Sequence, residues 1–104
     1  MASDQAAKLD HDTLISVVVP AYNEEAVIKE FHRRLIAVAE SQRFSVEIVY
    51  IDDGSTDDTR ALMNDIAGTD DRVTVLELSR NFGKEIALTA GLDHAAGDAV
   101  IVID

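Results

Sequence analysis

Val46-Glu47-Ile48-Val49-Tyr50-Ile51 runs straight into Asp52-Asp53-Gly54-Ser55-Thr56-Asp57. The first six residues are apolar, β-branched or aromatic at nearly every position, which suits a strand of a parallel sheet covered on both faces. The next six are turn and helix-capping residues. Two adjacent aspartates at the end of such a strand repel each other, a cost that capping alone does not require.

Outward from this stretch the pattern repeats. Leu14 to Val19 is a second apolar run, stopped by Pro20, which cannot donate to a sheet ladder. Between the two runs, Val27, Phe31, Leu35 and Val38 recur at helical spacing while Lys29, Glu30, Arg33 and Arg34 fill the other face. This spacing predicts a helix from Glu24 to Ser41 with Asn23 as its cap. Downstream, Leu62, Met63 and Ile66 line a short helix, Val73 to Leu78 forms a third strand, and Ser79-Arg80-Asn81-Phe82-Gly83-Lys84 is a polar loop. A third helix carries Ile86, Ala87, Ala90, Leu92 and Ala95 and ends near Gly97, and Ala99 to Ile103 is a fourth strand. Strand and helix alternate throughout, which predicts an α/β fold with a Rossmann-like parallel sheet.

The 104 residues suffice for one domain. Hydrophobic residues at 47% and charged residues at 28% are globular values, so a core is expected. Nine Lys and Arg against 20 Asp and Glu give a formal charge of −11, which repels nucleic-acid phosphate. No cysteine is present, which excludes disulfides and thiolate metal sites, and His11, His32 and His94 lack ligand spacing. The histidines and the Lys29 to Arg34 face read as surface or helix residues, and Tyr50 reads as core. The longest apolar runs fall far short of the roughly 20 residues a membrane-spanning helix needs. Residues 1–13 read as a solvated acidic tail rather than a signal peptide. Residues 14–104 read as half of a larger domain, because a fourth strand with no following helix leaves an apolar face and an edge exposed. On that reading the isolated piece is expected to be poorly stable.

In open parallel sheets ligands bind at the carboxyl ends of the strands, so the loops there decide function. They read Pro20-Ala21-Tyr22-Asn23-Glu24-Glu25, Asp52 to Asp57, Ser79 to Lys84, and Asp104. No G-x-G-x-x-G follows the first strand and no G-x-x-x-x-G-K-[ST] occurs, so dinucleotide and P-loop cradles have no glycines to form them. A phosphate-accepting receiver domain wants its acidic pair after the first strand, whereas here it follows the second. What remains is a carboxylate-rich rim with two cations, Arg80 and Lys84. Carboxylates hold a diphosphate only through a hard cation such as Mg²⁺ or Mn²⁺. They also accept N–H groups of a pyrimidine or guanine base, and Tyr22 offers a flat face for a base or ribose.

Pro20 to Glu25, Asp52 to Asp57 and Ser79 to Glu85, in this order, resemble the family 2 glycosyltransferases of the GT-A fold, and Asn81-Phe82-Gly83-Lys84 resembles the branch acting on polyprenyl phosphates. The resemblance covers Ile15 to Asp104 and implies the N-terminal half of a GT-A domain. It implies that Pro20, Ala21, Tyr22 and Glu24 line a UDP- or GDP-linked sugar, that Asp53 reads the base, and that Asp52 belongs to the same site. It implies that Asp104 is the first carboxylate of an Asp-x-Asp motif holding Mg²⁺ or Mn²⁺. Charge and loop position add Arg80 and Lys84 as candidate phosphate contacts.

The resemblance further implies an inverting, metal-assisted sugar transfer to a polyprenyl phosphate. The parent enzyme would then work at the cytoplasmic face of a membrane, reached only through segments outside this sequence. The catalytic residue is expected beyond residue 104, and this piece alone is expected to be inactive. The alternative is a non-catalytic nucleotide-binding or interaction module. On the bland reading, Asn23-Glu24-Glu25 is only a helix cap with favourable first-turn charges. Within the acidic pair, Asp52 is expected to bond the loop backbone while Asp53 faces the ligand. Phe82 reads as a packing residue and Gly83 as a backbone necessity.

Overall fold

The computed structural model describes residues 12–104. Most of the expected acidic tail, with His11, lies outside the described residues. The elements alternate as β1 (Leu14–Ala21), α1 (Ile28–Glu40), β2 (Ser45–Asp52), α2 (Thr59–Thr69), β3 (Val73–Glu77), α3 (Lys84–His94) and β4 (Ala99–Val102). The strands form one sheet in the order β3-β2-β1-β4, every pairing parallel.

Alternation along the strands sorts the core onto two faces. Ile15, Val17, Val19, Ile48 and Tyr50 pack with Ile28 of α1 and Met63 and Ile66 of α2. Val18, Val49 and Ile51 face the other way, toward Ala87 of α3. Complete burial of each of these valine, isoleucine and methionine side chains contributes about 1.5 to 3 kcal/mol. The edge is different: in β4, Val100, Ile101 and Val102 are all exposed, and no strand pairs beyond β4 among the described residues.

Local readings shift in three places. Pro20 lies inside β1, in register with Ile51. The Ile103 N–H donates to the Val18 carbonyl, so even-numbered backbone groups of β1 face β4, whose pairing ends at Val18 and Val102. The nitrogen of Pro20 therefore points past the last ladder pair, where no donor is used. The second shift is in α1, which begins at Ile28, after a turn in which the Val27 and Ile28 N–H groups donate to the Glu24 carbonyl. Its inward stripe is Ile28, Phe31, Leu35 and Ile36, while Val27 and Val38 are exposed. The third is Asn23, which does not cap this helix: the residue before it is Val27, and no side chain caps it.

Tyr50 is fully buried, as its place in an apolar strand implies, but its hydroxyl does not sit idle. It lies 2.7 Å from Nδ1 of His32, whose Nε2 is 3.3 Å from Asp70, and Arg72 donates from Nε to Asp70 at 2.8 Å. Burial pushes the Tyr50 hydroxyl above its ordinary value, and the charge of Asp70 adds to that. The guanidinium of Arg72 holds the Asp70 carboxyl at about 2. On the other face of the sheet Glu47 accepts from the Ser16 hydroxyl and, at 2.7 Å, from the Ala96 N–H, which fixes the approach to β4.

Candidate functional site

At the carboxyl ends of the strands, four loops are tied to one another in turn. The first tie is Asn23. Its backbone adopts φ 52°, a left-handed conformation that asparagine tolerates. From there its side chain reaches the second loop: Oδ1 accepts the Thr56 N–H at 2.8 Å and Nδ2 donates to Thr56 Oγ1 at 3.2 Å. The Asn23 N–H donates to Ser55 Oγ at 3.0 Å, and the Glu24 N–H to Thr59 Oγ1 at 2.8 Å. Asp57 completes the seam by accepting the N–H groups of Thr59 and Glu25. Burial works to raise its carboxyl, but the Thr59 hydroxyl and these N–H donors outweigh that and lower it.

The second and third loops meet through the paired aspartates. Asp52 is fully buried and accepts from Arg60 Nε at 2.9 Å and from the Ser55 N–H. Arg60 also donates to the Leu78 carbonyl at 2.9 Å, so one guanidinium neutralises Asp52 and fastens the end of β3. Asp53 turns the other way: its Oδ1 accepts the Phe82 N–H at 2.9 Å and its Oδ2 the Gly83 N–H at 3.1 Å. Gly54, at φ 71°, lets the two loops touch, since a Cβ there would lie 2.1 Å from the Arg80 carbonyl carbon. Gly83, at φ 103°, then turns the chain into α3.

The last tie runs from the start of α3 to the end of β4. Lys84 Nζ lies 2.7 Å from Asp104 Oδ2, and both side chains are more than half exposed. These ties surround a hollow of about 210 Å³ lined by Pro20, Ala21, Tyr22, Glu24, Asp53, Lys84 and Asp104. A second, more apolar hollow adjoins it across Pro20 and Ala21, walled by Val27, Ile28 and Phe31.

Of the residues singled out in the sequence, seven therefore share one wall. Asp52 and Arg80 do not. Asp52 lies beneath the loop on Arg60, and the Arg80 guanidinium sits 4.2 Å above the Phe82 ring. Sequence reasoning missed Arg60, although a buried aspartate at a strand end calls for a nearby cation. It also gave Asn23, Ser55, Thr56 and Thr59 no part in joining the loops.

Chemically, the hollow offers an aromatic face, three carboxylates and one ammonium. Among the described residues no three acidic or histidine side chains gather closely enough to cage a metal ion. Magnesium and manganese are commonly held by one or two carboxylates with the substrate's phosphates completing the shell, and the exposed carboxylate of Asp104 fits that part.

Comparison with known proteins agrees with this fold. The sequence model described as glycosyl transferase family 2 matches residues 16–104. A bactoprenol glucosyl transferase of Shigella phage SfV is 52% identical over 90 residues, which are 86% of this chain and 29% of that protein. A prophage bactoprenol glucosyl transferase homolog of Escherichia coli is 51% identical over the same shares. The chain thus spans about three-tenths of the length of the curated relatives it matches. Among solved structures, the mannosyltransferase PcManGT of Pyrobaculum calidifontis, in complex with GDP-Man and Mn²⁺, superposes with a TM-score of 0.70 at 32% identity. It covers 83% of this chain and 25% of its own. TarS of S. aureus in complex with UDP-GlcNAc gives a TM-score of 0.71 at 32% identity, over 86% of this chain and 26% of its own. The fold is the N-terminal part of a GT-A domain.

Proposed function

This chain belongs to glycosyl transferase family 2, and from that premise we propose that it is the donor-binding part of an enzyme that moves a sugar from a nucleoside diphosphate to a polyprenyl phosphate, with inversion. The observation that carries this reading is the meeting of Tyr22, Asp53 and Asp104 on one hollow, from three different strand ends. The relatives' names support the acceptor class, and the complexes with GDP-Man and UDP-GlcNAc support the donor class.

Each wall residue has a task that its chemistry allows. Tyr22 packs its ring on the base or ribose, with Pro20 and Ala21 shaping the floor and Glu24 the side. Asp53 spends one lone pair of each oxygen on a main-chain N–H, and the pairs that remain can accept a base N–H. Asp104, with the donor's phosphate oxygens, would hold Mg²⁺ or Mn²⁺, which supplies Lewis-acid stabilisation of the departing diphosphate. Lys84 offers its ammonium to the same phosphates. An acceptor phosphate is already ionised, so the attack calls for no strong general base, and none is assigned to this chain.

No helix among the described residues is long and apolar enough to cross a membrane. We place the reaction at the cytoplasmic face of a membrane, with the lipid contacted by other parts of the protein.

Calorimetric titration with UDP and with GDP tests the reading. Binding of one of them that strengthens with Mn²⁺ and weakens with EDTA is the expected result; no binding of either, or equal affinity in both conditions, would contradict it.

A further inference from the structure

The proposed donor site contains one feature that nucleotide recognition alone does not explain. Among the described residues Lys84 is the only cation on a wall that carries Glu24, Asp53 and Asp104, and it does not stand free toward the hollow but rests on Asp104. Resting on the reading above, we propose that Lys84 is a built-in counter-ion of Asp104. It keeps that carboxylate neutralised and pointed while the site is empty, competes with the divalent cation for it, and passes to the diphosphate when the cation takes its place.

Three observations support this. The root of Lys84 is fixed: the Asp53 carboxylate holds the N–H groups of both Phe82 and Gly83, and Gly83 at φ 103° starts α3 with Lys84 as its first residue. The tip, by contrast, is free to move. Lys84 and Asp104 are 56% and 58% exposed, and an exposed pair of this kind is worth no more than about fivefold in affinity, so an arriving dication can displace it. The residue type also suits the exchange, because a compact ammonium on a flexible stem can change partners without the fixed fork geometry of a guanidinium.

The charge balance then works in both states. Without ligand, one of three carboxylates is neutralised. With a cation on Asp104, the released ammonium lies beside the incoming phosphates, where a second positive charge is needed.

The test measures two affinities of the full chain: Mn²⁺ alone, followed by the paramagnetic signal of the free ion, and UDP or GDP at saturating Mn²⁺. In Lys84→Met, Mn²⁺ alone should bind about two- to fivefold tighter, while the nucleotide should bind about tenfold weaker. Lys84→Arg, which keeps the charge but changes partners less readily, should fall between the original protein and Lys84→Met in the second affinity. In an Asp104→Asn background, Lys84→Met should leave Mn²⁺ affinity unmoved. Mn²⁺ affinity that is unchanged or reduced by Lys84→Met overturns the proposal, as does nucleotide affinity that does not fall. Failure of the underlying reading shows itself separately, as a lack of Mn²⁺-dependent nucleotide binding in the unaltered protein.

Discussion

Asn23 and Thr56 are 33 residues apart in sequence and bonded twice: the Thr56 N–H donates to Asn23 Oδ1 at 2.8 Å, and Asn23 Nδ2 donates to Thr56 Oγ1 at 3.2 Å. Asparagine is suited to this place because it accepts the left-handed φ of 52° while offering both a donor and an acceptor. Asn23→Ala loses the bonds and strains the backbone, and should cost about 2 kcal/mol. Asn23→Gly keeps the backbone relaxed and should cost about 1 kcal/mol. Urea midpoints of the two variants check the order; equal losses would show that the left-handed backbone adds no strain in the alanine variant, and no loss in Asn23→Gly would show that the side-chain bonds contribute nothing.

Asp53 has a double duty, holding the third loop and facing the hollow. Asp53→Ala leaves two N–H groups without their acceptor, which should cost about 3 kcal/mol. Asp53→Asn keeps one acceptor oxygen and should lose about half of that. Both variants should bind UDP or GDP more weakly in the same titrations. A variant of normal stability and normal nucleotide affinity would remove Asp53 from both roles.

Gly54 tests the close approach of the second and third loops. In Gly54→Ala the new methyl carbon meets the Arg80 backbone at 2.1 Å, and the residue must also hold φ 71°. The loops must separate, at a cost of about 3 kcal/mol or more. Thermal unfolding reads the loss directly.

The Asp70 site, far from the hollow, predicts a pH dependence. Beside Arg72 the folded carboxyl titrates at about 2, below its ordinary value of 3.8. The unfolded chain therefore takes up its proton first as the pH falls. The stabilisation is complete above about pH 4 and is lost progressively toward pH 2, at an amount on the order of 1 kcal/mol after solvent screening. In Asp70→Asn that part of the acid slope should disappear. Urea melts at pH 6 and pH 3 measure it, and an unchanged slope would assign the acid sensitivity to other carboxylates.

The alternation of apolar runs and helical spacing was enough to read the sheet, its parallel sense and the loops at its carboxyl ends, because those features follow from local pattern. Partners distant in sequence could not be read in this way. Asn23 looks like a helix cap when only its neighbours are considered, since nothing local reveals that Ser55 and Thr56 lie across the sheet end from it. Arg60 and His32 are likewise ordinary helix residues until the fold sets them against Asp52 and Tyr50. For the opposite reason Pro20 looks like a strand stop in the sequence: its missing donor matters only where a neighbouring strand needs it, and β4 ends its pairing first.

The most direct test of the central claim is a titration of the ¹⁵N-labelled protein with UDP or GDP in the presence of Mg²⁺, following every backbone amide. The largest shifts should fall on Ala21, Tyr22, Asp53, Phe82, Gly83 and Asp104. Shifts centred instead on the groove of His32 and Asp70 between α1 and α2, or none at any amide, would contradict the assignment of the hollow as the donor site.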